Sequence, residues 1–371
     1  MAQRGQVTVI IMVSYLGWVS AQVTALGLVF NVLSDGAISL PMGMVIGVVS
    51  ILAYTLFGGM WSVAITDFMQ MIILVLGLAI LAVFAGHQAG GADKVLALAV
   101  SQDMFKFWPE PNFKDIVFFF AASITIMLGS IPQQDVFQRV MSANSEFAAT
   151  KGPVIGGIFY ILFAFVPMFL VVSAMIIMPE EAARLIAEDP QKVLPTLVMT
   201  KMPFIMQVLF FGALLSAIKS CASATLLAPS VTFTENIWRQ FFPNQTDAQE
   251  LKAMRITVLV FSVLVLTYAI AMQGTSIYEM VSGAYQVTLV GAFVPLAFGL
   301  YWSKATTQGA LLAIGLGLLT WLVFTFTPWG EDFPAQLAGV LASLAGMWLG
   351  SRAPQWLRNQ HAGHHKVPGL E

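Results

Sequence analysis

The sequence predicts an all-α, polytopic membrane protein with about ten transmembrane helices. Hydrophobic residues make up 58% of the chain and charged residues only 10%, whereas a soluble domain carries about 25% charged residues. Several segments contain no Asp, Glu, Lys or Arg and are at least as long as the ~20 residues that cross a bilayer as a helix. A net charge of −2 gives no sign of nucleic-acid binding.

Glycine, proline and charged residues divide the chain into successive spans. The predicted spans, in order, are Val7–Leu33, Leu40–Phe57, Val63–Ala85, Ile116–Arg139, Val154–Met178, Phe204–Pro229, Ile256–Met272, Met280–Trp302, Gly309–Phe326 and Ala335–Gly350. Only Gly58–Ser62 separates the second span from the third, which predicts a tight hairpin. Long polar connections follow at His87–Lys114, Pro179–Pro203 and Glu235–Arg255.

An even number of spans places both termini on one side of the membrane. With the N-terminus inside, the loops assigned to the cytoplasm carry more Lys and Arg than those assigned outside, which is the usual bias. We therefore expect a multi-pass protein of the cell membrane with cytoplasmic termini. Residues 1–353 should form a single transmembrane domain, and residues 354–371 a short cytoplasmic tail.

The fourth predicted span is interrupted by Gly129, Ser130 and Pro132. Gly and Pro at membrane depth release backbone carbonyls, which protein or a water-filled cavity must then satisfy. Interrupted helices of this kind mark binding sites in transporters. The alternative is an ordinary helix end, with Pro132–Asp135 already at the level of the lipid headgroups.

Two ionisable residues lie in otherwise uncharged segments: Lys219 in the sixth span and Asp67 near the start of the third. Charged side chains within a bilayer usually face a cavity or a partner. Lys219 must snorkel, pair with an acid or lose its proton, and it lies too deep to snorkel easily. Asp67 either caps the following helix, with Thr66 beside it, or faces such a cavity.

Three motifs occur in order along the chain: Gly58–Gln70 (GGMWSVAITDFMQ), Gln134–Gly152 (QDVFQRVMSANSEFAATKG) and Ser216–Trp238 (SAIKSCASATLLAPSVTFTENIW). The first is similar to the Gly-Gly…Thr-Asp…Gln motif of the sodium:solute symporter family. The second resembles that family's Gln-Arg motif with its trailing Ala-Lys segment, and the third its Ser-rich segment. Each motif alone is weak, but the three in this order are specific.

This resemblance implies a LeuT-type transporter, built from two inverted five-helix repeats that bind ions and substrate at mid-membrane. Family members have about thirteen spans, three of them before the equivalent of Val7–Leu33. We therefore expect an N-terminally incomplete chain, either a fragment or a shortened gene product. It would retain three helices of the first repeat, all five of the second and two more.

The resemblance also implies a sodium site at the Ala217 carbonyl and the side chains of Ser220 and Cys221, with Thr66 and Asp67 along the path of the ion. Cys221 departs from the family pattern, because the family usually has a second hydroxyl at this position. A hard cation prefers oxygen ligands to a thiol. Two further departures are Ser223, where the family has Asp, and Lys219. A Lys219 ammonium in the ion's place would make the carrier proton-coupled or uncoupled.

Polar and aromatic residues near the broken helix and in two other spans are candidates for substrate contacts. They are Gln133, Gln134, Tyr15, Trp18, Tyr285 and Gln286. Ligand sites combine apolar walls with a few placed polar groups, although core packing or a position at the membrane interface also explains each aromatic residue. Arg139 is interpreted as an inner gate, a coupling residue or the anchor of a helix end.

The predicted function is secondary active transport: import of a small polar organic solute with Na⁺ through the lipid bilayer. The alternatives are a proton-coupled or uncoupled carrier and a non-transporting membrane receptor or sensor module. No enzyme activity and no cofactor are expected, because the four His residues lie outside the predicted spans and no Ser-His-Asp arrangement or phosphate loop is evident. The residues do not choose among sugars, amino acids, vitamins, choline-like cations and carboxylates.

Overall fold

The computed structural model describes residues 2–357, without the side chains of residues 2–4, 6, 54, 57–64 and 66. This part of the chain is helical and contains no β-strand. Its α-helices are α1 (Ala2–Leu33), α2 (Leu40–Gln88), α3 (Ala92–Ser101), α4 (Phe113–Gly129), α5 (Gln134–Met141), α6 (Glu146–Ile177), α7 (Pro179–Glu188), α8 (Val193–Lys201), α9 (Phe204–Phe233), α10 (Arg239–Phe241), α11 (Asp247–Ala271), α12 (Ile277–Thr288), α13 (Val294–Tyr301), α14 (Thr307–Thr325), α15 (Trp329–Asp332) and α16 (Ala335–Arg352).

The predicted class of polytopic, all-α membrane protein is confirmed. Among the described residues, seven helices are long and apolar enough to cross a membrane, or eight if the bent pair α4 and α5 counts as one span. The sequence predicts about ten spans. The difference arises mainly because two predicted spans form one helix, and because α16, with 18 residues, is not among these seven helices.

The predicted hairpin at Gly58–Ser62 is wrong, because α2 runs without interruption from Leu40 to Gln88 over 49 residues. Two adjacent glycines without a proline lower helix propensity but do not remove a backbone donor, so apolar segments on both sides can continue the helix. Asp67 therefore lies inside a helix, and the interpretation of Asp67 as a helix cap is also wrong. The argument from an even number of spans loses its basis, and the orientation of the termini stays a prediction.

The helix is interrupted where Gly129, Ser130 and Pro132 predict it, and whether the two parts form one broken span stays a prediction. Helix α4 ends at Gly129 and α5 begins at Gln134. Two further helices contain a wider π-type turn, at Thr234–Trp238 after α9 and at Leu289–Phe293 between α12 and α13. Single π turns within helices occur frequently at functional sites, because they release backbone groups from the regular ladder.

Contacts divide the chain into two compact units. Unit 1 consists of the residues up to Ile10, Glu110–Gln133 and the residues from Tyr285 onward. Its core is formed by Leu289, Val290 and Met347, which lie on the π turn after α12 and on α16. Helices α14 and α16 approach closely where glycines face each other's backbone, as at Gly346, whose added Cβ would lie 2.8 Å from the Leu312 carbonyl oxygen.

Unit 2 consists of Ile11–Pro109 and Gln134–Ala284. Its largest fully buried side chains include Tyr15 on α1, Leu81 on α2 and Phe261 on α11. The long connections that the sequence leaves as loops contain the short helices α3, α7 and α8. Helix α3 packs Val95 and Ala99 against Val172 of α6, so this connection is anchored to a membrane-spanning helix.

Candidate functional site

A carboxylate on α2 joins three helices of unit 2. One oxygen of Asp67, Oδ1, accepts a hydrogen bond from the Ser220 hydroxyl of α9. The other, Oδ2, lies 3.0 Å from Nη2 of Arg139 on α5. The Asp67 side chain is 25% exposed and that of Arg139 is 50% exposed. The polar cavity predicted around Asp67 therefore corresponds to a partly buried cluster with a hydroxyl and a guanidinium.

Asp135 adds a second carboxylate that the sequence analysis did not select. Its Oδ2 lies 3.5 Å from Nη1 of Arg139. Arg139 follows Asp135 by one helical turn of α5. The spacing of four residues between an acid and an arginine in QDVFQR is the signal that could have found it. Asp67, Asp135 and Arg139 together carry two negative charges and one positive charge, which leaves one net negative charge.

Tyr15 of α1 holds the first turn of α5 in place. Its hydroxyl donates a hydrogen bond to Oδ1 of Asp135 and accepts one from the Asp135 backbone N–H at 2.8 Å. The Tyr15 side chain is fully buried. This residue was predicted as a substrate contact, but in the structure it positions Asp135 and, through Asp135, the Arg139 guanidinium.

The predicted ion ligands share one face of α9, because Ala217, Ser220 and Cys221 are spaced three and four residues apart on a continuous helix. Ser220 is buried and Cys221 is half-buried. The Cys221 thiol is hydrogen-bonded with Trp18 and lies within electrostatic reach of the charged cluster. Trp18 therefore belongs to the same group of residues as the predicted ion ligands.

Lys219 is half-buried, and neither an ion pair nor a hydrogen bond joins its ammonium to another described residue. Of the three alternatives predicted for Lys219, pairing with an acid is therefore not observed among the described residues. The predicted role of Thr66 along the path of the ion lies outside the described side chains, because only its backbone in α2 is described. Gln134, the first residue of α5, is half-buried beside Asp135 in the sequence.

The remaining predicted substrate residues, Gln133, Tyr285 and Gln286, belong to unit 1. Gln133 is buried, and its Nε2 lies 3.4 Å from Oγ1 of Thr288. The Gln286 Oε1 accepts a hydrogen bond from the indole N–H of Trp321 at 2.9 Å. The Tyr285 side chain is half-buried.

Thr288 is a second residue that the sequence analysis missed. Its buried hydroxyl donates to the Gly129 carbonyl oxygen at 2.7 Å, so it satisfies a carbonyl at the end of α4. A Cβ on Gly129 would lie 2.5 Å from the Tyr285 carbonyl oxygen, which is too close for any side chain. A lone hydroxyl in an apolar span gives little signal, because such residues are common in membrane helices.

Comparison with known proteins identifies relatives over most of the chain. The profile of the sodium:solute symporter family matches residues 3–317. The human high affinity choline transporter 1 is 27% identical over 318 residues, which cover 81% of this chain and 52% of that protein. The high-affinity proline transporter PutP of Bacillus subtilis is 26% identical over 345 residues, covering 92% of this chain and 71% of that protein.

A solved structure of a Na⁺-coupled sialic acid symporter, in a substrate-bound outward-open state, superposes with a TM-score of 0.74 at 18% identity. The superposition covers 94% of this chain and 74% of that chain. The chain thus has the LeuT-type fold that the sequence predicts. It spans about half the length of the human choline transporter that it matches.

Proposed function

The chain belongs to the sodium:solute symporter family, and on this basis we propose that it is a secondary active transporter importing a small polar organic solute with Na⁺. The observation that carries the proposal is the cluster of Asp67, Ser220 and Arg139, which meets at one point from α2, α9 and α5. Charged side chains within membrane spans are rare and usually mark sites where charge is bound or moved.

The chemistry of the cluster suits a monovalent cation. Sodium prefers oxygen ligands, and the cluster offers the Asp67 carboxylate, the Ser220 hydroxyl and the Ala217 carbonyl. Together with Asp135, which also pairs with Arg139, the group carries one net negative charge, which one Na⁺ would neutralise. Arg139 already holds one carboxylate oxygen of Asp67, which leaves capacity on the oxygen that faces Ser220. Cys221 is the weakest member of this ligand set.

In this proposal Arg139 is a coupling residue. Its guanidinium bridges Asp67 and Asp135, and Tyr15 orients Asp135. Binding of Na⁺ at Asp67 would weaken the attraction between Arg139 and Asp67 and shift Arg139 toward Asp135. Ion occupancy would thereby be transmitted to α5, which follows the broken helix. The predicted solute contacts stay predictions within each unit: Tyr15, Trp18 and Gln134 in unit 2, and Gln133, Tyr285 and Gln286 in unit 1.

The test is a measurement of ²²Na⁺ binding to the purified chain, comparing the wild type with Asp67→Asn. Asparagine keeps the size and an acceptor for Ser220 but removes the charge. We expect the Kd for Na⁺ to rise at least ~10-fold, which corresponds to about 1.4 kcal/mol. The matched control is Asp93→Asn, an exposed carboxylate in the first turn of α3, which should leave the Kd unchanged.

An unchanged Na⁺ affinity in Asp67→Asn would remove Asp67 from the ion site. Absence of Na⁺ binding in the wild type, together with proton-driven or gradient-independent uptake into proteoliposomes, would favour a proton-coupled or uncoupled carrier. Choline and proline, the solutes named for two relatives, are suitable first probes for uptake. A receptor module would bind one of them without moving it across the membrane.

A further inference from the structure

A cavity of about 570 Å³, which we call the end cavity, lies at the C-terminal end of α2. It is lined by Phe84, His87 and Gln88 of α2, by residues 200 and 201 at the end of α8, and by residues 202 and 203, which connect α8 with α9. The turn from α8 to α9 is held by side-chain amides. Gln207 donates to the carbonyls of Met199 and Met202 at 3.1 and 3.0 Å, so the position of this wall is well defined.

Two apolar cavities adjoin the end cavity along α2. The first, about 370 Å³, is lined by Ile80, Val83, Phe84 and Met206, and the second, about 320 Å³, by residues of α2 with Gly91 and Phe169. Val83 and His87 line both of these cavities. His87 also lines the end cavity, and Phe84 lines the end cavity and the first of the two. We call these two spaces the furrows. They flank a ridge formed by Val83 and His87, which are one helical turn apart.

The furrows open on the apolar surface of a candidate membrane span. The segment Asp67–Gln88 is one of the helices long and apolar enough to cross a membrane, and Val83 is 66% exposed on it. At the start of α9, Phe204 is 77% exposed. Exposed apolar side chains of this size on spanning helices are covered by lipid chains. The furrows are therefore continuous with the lipid-facing surface of the protein.

The end cavity offers hydrogen-bond donors and positive charge. Lys201 carries a cation, the His87 imidazole can donate, and Thr200 adds a hydroxyl. Of the described residues that line the end cavity and the furrows, none is Asp or Glu. Basic side chains at the end of a spanning helix attract anionic headgroups, with about 1 kcal/mol for each Lys or Arg.

We propose that the end cavity and the two furrows together bind one anionic phospholipid, with its phosphate in the end cavity and its acyl chains in the furrows. Lys201 and His87 contact the phosphate, and Val83 separates the chains. The volumes are those of ordinary ligand pockets, about 300–1,000 Å³. The site lies on α2, the helix that carries Asp67, so a bound lipid would brace the ion-binding helix at its end. The proposal does not depend on which solute is transported.

The test is native mass spectrometry of the purified chain, titrated separately with dioleoylphosphatidylglycerol and dioleoylphosphatidylcholine. We expect one tightly held lipid with a preference for the anionic lipid. Lys201→Gln should reduce the affinity for phosphatidylglycerol about 5-fold, from about 1 kcal/mol per basic residue, and leave that for phosphatidylcholine unchanged. Lys252→Gln, at an exposed lysine of α11 outside these cavities, is the matched control.

A second pair of variants examines the furrows. Val83→Trp should weaken retention of both lipids because the indole fills the space beside the ridge, while Ile73→Trp, on the same helix and outside the cavities, should not. Equal retention of both lipids by the wild type, or an unchanged preference in Lys201→Gln, would overturn the proposal. Displacement of the lipid by inorganic phosphate would also overturn it, because the site would then be one for a free anion.

Discussion

The two units solve the problem of polar groups within a membrane in opposite ways. In unit 2, Asp67, Asp135 and Arg139 form a charged cluster whose side chains are 22–50% exposed. In unit 1, Gly129, Gln133 and Thr288 form a neutral group in which the two side chains are buried. Charges need water or a mobile ion nearby, whereas neutral groups can be satisfied by packing. On this contrast we propose ion chemistry for the first cluster and a structural role for Gly129 and Thr288 in the second.

The largest effect on stability is expected where the neutral group is tightest. The Cβ of Gly129→Ala would lie 2.5 Å from the Tyr285 carbonyl oxygen, and because the clash is with backbone, neither side can yield cheaply. We expect the free energy of unfolding to fall by about 3 kcal/mol, the upper range for overpacking. Denaturant titration in detergent measures it. Gly299→Ala, whose Cβ meets nothing within 4 Å, is the control; equal effects would contradict the role assigned to Gly129.

Tyr15→Phe should have the next largest effect on stability, because the buried Tyr15 side chain links Asp135 of the charged cluster to the core of unit 2. Removing the hydroxyl leaves the Asp135 N–H and one Asp135 oxygen without their partner. We expect a loss of about 2 kcal/mol in the free energy of unfolding, the cost of buried groups left unpaired. The loss should be smaller in an Asp135→Asn background, because the two residues share one interaction. Strict additivity in the double-mutant cycle would exclude the proposed link.

Thr288→Val examines the neutral group by removing a hydroxyl at constant shape. The Gly129 carbonyl would lose its 2.7 Å hydrogen bond, which should cost about 1 kcal/mol of unfolding free energy. Na⁺ affinity should not change, since no charge is altered. The matched control is Thr267→Val on α11, whose exposed hydroxyl bonds only to its own helix. A Thr288→Val protein that folds normally but binds Na⁺ poorly would assign ion chemistry to unit 1 as well.

The smallest effect is expected for Lys219→Met. Lys219 lies about 100° around the helix from Ser220, and no described residue forms an ion pair with it. We expect the Kd for Na⁺ to change by less than about 2-fold, which is under 0.5 kcal/mol. The ²²Na⁺ binding measurement described above checks this. A large gain in Na⁺ affinity would show that the ammonium faces the ion site and competes with the cation.

The sequence by itself determined the class of the protein and most of its helices. Uncharged runs as long as a bilayer crossing predict membrane helices, so α1, α6, α11 and α14 follow from composition, and α9 follows from a run that only Lys219 interrupts. The break after Gly129 also follows, because Gly and Pro weaken a helix locally. These features depend on residues close together in the chain, and local patterns therefore predict them.

Only the tertiary structure decided which polar residues meet. Asp67, Asp135 and Ser220 are 68 to 153 residues apart in the chain, and no local pattern states that helices α2, α5 and α9 converge. The family resemblance supplied Asp67 and Ser220. Asp135 lies within the second motif but was not selected from it, and Thr288 lies in none of the three motifs. The continuity of α2 was also decided by the tertiary structure. Two glycines lower helix stability by about 1 kcal/mol each. Packing against neighbouring helices can offset a cost of this size, so the local sequence does not determine whether the helix ends there.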